Sequence, residues 1–164
     1  MTAQQLQEAS RAVTYEVKHL WYGFDAYQRF RGDPKEPNLG TLSFEAFLLH
    51  YRCLREFLAG NGWKDDIKAG DFISGWTSPD WPDHFNDPRR NTDPRYSEQK
   101  QIDKRLSHLT YFREEVRKTT PPVRDWQVTA MYGTVRDQFL AFVGQLEPER
   151  KEWFSEAVTV LRSE

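Results

Sequence analysis

One stretch, from Ser97 to Lys118, constrains the fold most, because its apolar side chains recur at the three- and four-residue spacing of a single helix face. This row consists of Ile102, Leu106, Leu109, Phe112 and Val116. A half-buried strand would alternate apolar and polar residues instead, and no stretch of the chain does so strictly. The stretch therefore predicts a long amphipathic helix whose apolar face has to be covered by other helices.

The same spacing recurs along the chain and predicts the rest of the fold. The predicted helices span residues 3–30, 44–59, 65–74, 97–118 and 123–145, and a last helix begins near Pro148. Ser43 is the predicted N-cap of the second helix, since its hydroxyl can accept a free first-turn N–H. Residues 77–95 are rich in proline and aspartate, which predicts an irregular loop. We therefore expect an all-α fold, an up-and-down helical bundle of about four long helices plus a short one, in a single domain over residues 1–164.

Composition narrows the class of protein further. The formal net charge is −2, so no overall field attracts a polyanion or a membrane surface. No apolar run approaches the roughly 20 residues that span a bilayer, and the first residues do not read as a signal peptide. The single cysteine, Cys53, excludes an intramolecular disulfide, and we read it as a packing residue. We expect a cytoplasmic protein without a membrane segment.

Two charged side chains fall inside apolar helix faces. Glu16 lies between Val13 and Leu20 on the first helix, and Arg105 lies between Ile102 and Phe112 in angle. A lone buried charge is costly, so the sequence predicts that Glu16 and Arg105 form a pair inside the bundle. Histidines flank the same faces and extend this predicted polar network: His19, His50 and His108. Such a network either fixes the packing of the helices or lines a functional cleft, and exposure to solvent distinguishes the two roles.

A metal site is the third-ranked functional hypothesis. Glu16 and His19 have the Glu-x-x-His spacing that places both groups on one helix face. A di-iron site needs a second such motif, whereas Arg105 occupies the corresponding position before His108. A mononuclear site from His19, His50 and His108 is the remaining geometry. We expect neither a metal nor a cofactor.

The segment IDKRLSHLTYFRE, residues 102–114, resembles the motif helix of HEPN-type domains. That resemblance implies a compact helical bundle, often dimeric, of bacterial toxin–antitoxin or phage-defence systems. It also implies metal-independent RNA cleavage, with His108 as the acid–base residue and Arg105 as its phosphate-stabilising partner. Arg105 precedes His108 by a shorter interval than the family pattern has. The implied partners are RNA, a second copy of the chain and an antitoxin-like protein.

The alternative is a non-enzymatic protein–protein interaction module. The chain holds six Trp and eleven Phe, and several large rings have no place on a helix core face. Exposed large rings often mark partner surfaces. The candidates are Trp21, Tyr22, Trp63 and Trp81.

Overall fold

The computed structural model describes residues 1–60, 63–85, 91–107 and 126–163, with the backbone alone at positions 37, 95, 104, 105 and 107. Within these ranges the regular elements are helices, so the fold is all-α, as expected. The described part of the chain has no strand, and its one β-bridge joins Phe85 to Trp126. None of its helices is long and apolar enough to cross a membrane.

The first helix, α1, spans Ala3–Phe30, which is the predicted range. Its start is fixed by a capping box: the Gln5 N–H donates to Thr2 Oγ1, and the Thr2 N–H donates to the Gln5 side chain. After its end, Gly32 adopts a positive φ of 78° that favours glycine.

The second helix, α2, spans Pro37–Ala59 and begins seven residues before the predicted start at Phe44. Proline fits the first turn of a helix because its missing N–H would have no partner there. Ser43 is consequently not an N-cap, and its hydroxyl donates to the Leu39 carbonyl one turn earlier. The helix ends at Gly60, whose φ is 70°.

Helices α1 and α2 form an antiparallel hairpin in close contact. A Cβ on Gly23 would lie 2.8 Å from the Phe47 backbone nitrogen, and one on Gly40 would lie 2.8 Å from the Phe30 carbonyl oxygen. Only glycine permits these approaches. They also fix which residues of the two helices lie at the same level.

Five further α-helices complete the described part of the fold. They are α3 (Ala69–Phe72), α4 (Glu98–Ser107), α5 (Val128–Gln145), α6 (Pro148–Glu152) and α7 (Ser155–Arg162). Helix α3 is shorter than the predicted 65–74, and the predicted last helix is divided at Trp153 and Phe154. The predicted continuation of α4 over 108–118 lies outside the described residues, as do positions 123–125 of the next predicted helix. Helix α5 begins only at Val128, because Trp126 forms the bridge to Phe85 and the Gln127 backbone is not helical. A short 3₁₀ helix, Pro94–Tyr96, precedes α4.

The core lies between α1, α2 and α5 and is rich in aromatic rings. Both α1 and α2 contact α5; α7 packs on α1, and α4 packs on α2. One group of rings meets edge to face, a favourable geometry: Phe57, Phe72, Phe139, Phe142 and Phe154. Large rings thus fill a core for which the aliphatic content of the chain is modest.

Candidate functional site

A cluster of histidine and tyrosine rings lies on the outer side of the α1–α2 hairpin. His19 has its ring centroid 4.0 Å from that of Tyr15, 5.2 Å from that of His50 and 5.9 Å from that of Tyr22. The spacing of Tyr15, His19 and Tyr22 along α1 places the three rings on one face. Both tyrosines are about half exposed, whereas His50 is buried. We call Tyr15, Glu16, His19, Tyr22 and His50 the histidine–tyrosine cluster.

Glu16 holds the buried histidine of this cluster in place. Its Oε2 lies 2.7 Å from His50 Nδ1, a distance at which the imidazole N–H donates to the carboxylate. The Glu16 side chain stays partly open to solvent, at 28 % exposure. A carboxylate that orients a histidine in this way is a common arrangement at acid–base sites.

The structure therefore brings together the residues Glu16, His19 and His50 of the predicted network. Among the described side chains, Glu16 pairs with His50. Arg105 lies on α4, but its side chain is outside the described part, and His108 lies beyond residue 107. The predicted Glu16–Arg105 pair and the predicted roles of Arg105 and His108 thus stay predictions.

Two clefts open beside the cluster. One of about 220 Å³ combines cationic and aromatic side chains; its lining includes Arg11, Tyr15, Lys18, His19, Trp153 and Glu156. The other, of about 270 Å³, is acidic at its rim and apolar at its base; its lining includes Glu16, Cys53, Glu56, Phe57, Asp66 and Ile67. The two clefts differ in the charge of the group that each accommodates.

Cys53 lines the acidic cleft, and its thiol has a raised pKa. Burial raises its pKa to about 12, and the nearby Glu16 carboxylate adds to the rise through its charge and a hydrogen bond. Since the thiolate is the nucleophilic form, these surroundings argue against a nucleophilic role. The packing role expected from the sequence agrees with this environment.

Metal binding finds no support in this region. Among the residues that the structure describes, no group of three or more His, Cys, Asp and Glu side chains has the geometry to hold a metal ion. Within the cluster, the His50 nitrogen nearest to a carboxylate makes a hydrogen bond to it.

A second polar site, missed from the sequence, is centred on Glu98 at the start of α4. This carboxylate is 1 % exposed and accepts three hydrogen bonds. Its Oε1 accepts from the Tyr51 hydroxyl at 2.6 Å and from Arg55 Nη1 at 3.0 Å, and its Oε2 accepts from the His84 backbone N–H at 2.6 Å. We call Tyr51, Arg55, Trp81, His84 and Glu98 the Glu98 network.

The Glu98 network fastens the irregular segment 77–85 to the helices. Trp81 Nε1 donates to the Tyr51 hydroxyl at 2.9 Å, and the Arg55 guanidinium lies 5.8 Å from the centroid of the Trp81 ring. His84 Nε2 lies 2.8 Å from Thr134 Oγ1 on α5. Burial raises the pKa of Glu98, while the hydrogen bonds from Tyr51 and His84 and the charge of Arg55 lower it in part. Because the carboxylate is closed to solvent and satisfied within the chain, the network has a structural role.

A sequence signal for Glu98 did exist. Glu98 lies one helical turn before Ile102 on the same face, so it falls inside the apolar row of the organising helix. That is the criterion that singled out Glu16 and Arg105. Its partners could not be inferred, since they come from α2 and from a segment without regular structure.

Two of the four large rings that were predicted to mark a partner surface are exposed, and two are not. Trp63 is 80 % exposed and Tyr22 is 49 % exposed, whereas Trp21 and Trp81 are partly buried against the core.

Comparison of the chain with models of protein families, with curated proteins and with solved structures gives no match.

Proposed function

We propose that this chain is a protein–protein interaction module that binds through the outer face of the α1–α2 hairpin. The observation that carries the proposal is a second apolar row on each of the two helices, on the side away from the core. We call the two rows together the outer seam: Ala12, Tyr15, His19, Tyr22 and Ala26 on α1, and Leu39, Leu42, Ala46, Leu49 and Cys53 on α2.

The spacing of the outer seam resembles that of a helix-pairing surface. Its residues recur at alternating intervals of three and four on both helices, which is the heptad pattern of packed helix pairs. The large members are open to solvent: Leu42 is 60 % exposed, Tyr15 53 % and Leu49 46 %. A helix that packs on the core by one face normally carries polar residues on the other. Apolar and aromatic residues at regular intervals on both helices therefore favour a partner surface.

Site-specific photocrosslinking in cells tests the proposal. A photoreactive phenylalanine analogue would replace Tyr22 in the outer seam or, as a matched control, Trp63, which is exposed and is not a member of the seam. We expect a discrete protein adduct from position 22 and none from position 63. No adduct from position 22, or equal adducts from both positions, would contradict the proposed function.

A second candidate function is metal-independent action on RNA, as the HEPN resemblance implies. The observation in its favour is the 220 Å³ cleft, where Arg11, Lys18 and His19 stand beside the rings of Tyr15 and Trp153. Cations can neutralise phosphate, and aromatic rings can stack on bases. A histidine oriented by a carboxylate, as His50 is by Glu16, can transfer a proton. This candidate retains His108 and Arg105 as catalytic residues, an antitoxin-like partner, the up-and-down bundle and a cytoplasmic location.

Incubation with mixed RNA tests the second candidate. The wild type would be compared with His19→Ala, His50→Ala and His108→Ala after each variant is shown to be folded by circular dichroism. Cleavage that is lost in one of these variants would support RNA cleavage, and equal or absent cleavage in all four proteins would exclude it. The two candidates use His19 differently, because the interaction module covers this side chain and the RNA site keeps it open.

A further inference from the structure

We infer that the partner bound by the outer seam is a second copy of this chain, placed by a two-fold axis that sets α1 against the partner's α1 and α2 against the partner's α2, each pair antiparallel. This inference rests on the proposed interaction function and specifies its partner. Three observations carry it: the common level of the two rows, the charges on their flanks, and the charges that the competing arrangement would bring together.

The two rows form one continuous surface at one level of the hairpin. Gly23 lies against Phe47, and the His19 and His50 rings are 5.2 Å apart, so the two rows lie side by side over much of their length. The middle residues of the two rows, His19 and Ala46, differ in level by about 7 Å at a rise of about 1.5 Å per residue. A single two-fold axis across the hairpin can therefore pass within about 4 Å of both middle residues. Symmetric pairing requires this, because each row must face its own copy.

The charges that border the outer seam complement themselves under this symmetry. Lys18 and Asp25 lie on the flank of α1 that faces away from α2, and Glu45 and Arg52 lie on the flank of α2 that faces away from α1. The two-fold axis places Lys18 opposite Asp25 of the partner subunit. It likewise places Glu45 opposite Arg52 of the partner subunit. Both helices thus meet their copies with opposite charges, in the flanking positions that set orientation in helix pairs.

The competing arrangement sets α1 against the partner's α2, and the same charges oppose it. Because Gly23 and Phe47 are level, Lys18 is level with Arg52, and Asp25 is level with Glu45. That arrangement would bring Lys18 toward the partner's Arg52 and Asp25 toward the partner's Glu45. Like charges at an interface are costly and act against the wrong geometry.

The flanking charges select the orientation, and the apolar row supplies the affinity. Lys18 already pairs with Glu156, Asp25 with Arg29, and Arg52 with Glu56 and Asp103. Such partly exposed pairs contribute little each, and an interchain contact would extend them into networks. Burial of the tyrosine and leucine side chains contributes more, since tyrosine in particular is enriched among the residues that dominate interfaces.

The first test is the mass of the purified full chain by light scattering after gel filtration. We expect twice the chain mass of 19.5 kDa for the wild type. Tyr22→Glu and Leu49→Glu are expected to give the single-chain mass with an unchanged helical spectrum, and the control Trp63→Glu is expected to stay at twice the chain mass. A wild type that keeps the single-chain mass at concentrations of about 100 μM, where even weak specific pairs with micromolar dissociation constants associate, would overturn the inference.

The second test is disulfide crosslinking, which reads the orientation directly. In a Cys53→Ser background, the double variant Tyr15→Cys with Ala26→Cys places each new thiol opposite the other one in the partner subunit. Each single variant places its two copies about 16 Å apart along the helix axis, which is too far for a disulfide. We expect oxidation to produce covalent dimers from the double variant and not from either single variant.

The outcomes separate this inference from the proposed function. No covalent dimer from the double variant, or an equal yield from a single one, would overturn the orientation. In the photocrosslinking experiment, an adduct of twice the chain mass supports a second copy as the partner. An adduct with a different protein from position 22 would overturn the second copy as partner and leave the interaction module standing.

Discussion

The Tyr51 hydroxyl donates a hydrogen bond of 2.6 Å to Glu98 Oε1, and this contact joins the middle of α2 to the first turn of α4. Both side chains are closed to solvent. Glu98 is also the first residue of its helix, where the free N–H groups favour a negative charge. The contact therefore combines a buried hydrogen bond with a helix-end interaction. Trp81 donates to the same hydroxyl and thereby attaches the irregular segment 77–85 to α2.

Replacement of Glu98 by glutamine should destabilise the fold. The amide keeps one oxygen as an acceptor, but its NH₂ group would face either the His84 N–H or the donors from Tyr51 and Arg55. A buried donor without an acceptor costs about 1–3 kcal/mol. We expect a loss of that size in the free energy of unfolding by urea at neutral pH. Tyr51→Phe combined with Glu98→Gln should lose less than the sum of the single losses, and additive losses would show that the two side chains are not coupled.

The stability of the wild type relative to Glu98→Gln should depend on pH. Burial raises the pKa of Glu98 above its usual value of 4.5, so the folded protein holds this proton more tightly than the unfolded chain does. The stability that the protonated form contributes is fully present below the usual value and is lost as the pH rises through the folded pKa. We therefore expect the difference in unfolding free energy, wild type minus variant, to fall as the pH rises above the usual value of 4.5. A difference that rises over this range would mean that the hydrogen bonds outweigh burial.

Cys53 should react slowly with thiol reagents in the folded protein. Its pKa, raised from 9.0 to about 12, leaves about a thousandth of the usual thiolate at pH 8. We expect the reaction with an aromatic disulfide reagent to be slower by about 30-fold than in urea-unfolded protein, because a thiolate of higher pKa is more nucleophilic and offsets part of this loss. Coverage of the outer seam would also slow it, so Tyr22→Glu is the control. A slow rate that persists in this variant reflects the environment within one chain, and equal rates in the folded and unfolded wild type would contradict the raised pKa.

Gly23→Ala should destabilise the protein although alanine favours helices. The added Cβ would lie 2.8 Å from the Phe47 backbone nitrogen and would force α1 and α2 apart. Such overpacking costs about 1–3 kcal/mol, more than the gain of up to about 1 kcal/mol from helix propensity. The matched control is Gly133→Ala on α5, where a Cβ would meet nothing within 4 Å. Thermal unfolding should show a lower midpoint for the first variant and an equal or higher one for the second.

Local signals in the sequence predict much of the helical content. The bounds of α1 follow from its apolar row and from the breaking residues at Gly32 and Pro34, and the end of α2 follows from Gly60. The predicted start of α2 at Phe44 is wrong because it treats Pro37 as a loop residue. Proline is also a good first-turn residue, and the helix begins there. The break at Trp153 and Phe154 has no breaking residue and depends on tertiary packing.

The candidate sites are less predictable, because they depend on contacts between segments distant in sequence. Wheel positions identify Glu16 and His19 as inward or flanking groups, but they do not specify that Glu16 pairs with His50. The Glu98 network is harder still, since Trp81 and His84 belong to a segment without periodicity. The outer seam, in contrast, consists of single-helix spacings and was visible in the sequence once the core faces had been assigned.

The antiparallel hairpin of α1 and α2 has a consequence for how the chain folds during synthesis. Its two helices are neighbours in sequence and together end at Ala59. Their contacts, including that of Gly23 with Phe47, can therefore form once the first 60 residues have left the ribosome. Contacts between neighbouring segments form quickly, and the N-terminal part of a chain emerges first. The Glu98 network needs the chain up to residue 98, and the contact of His84 with Thr134 needs it up to residue 134. We therefore expect a nascent chain to acquire its hairpin first and to fasten the segment 77–85 later.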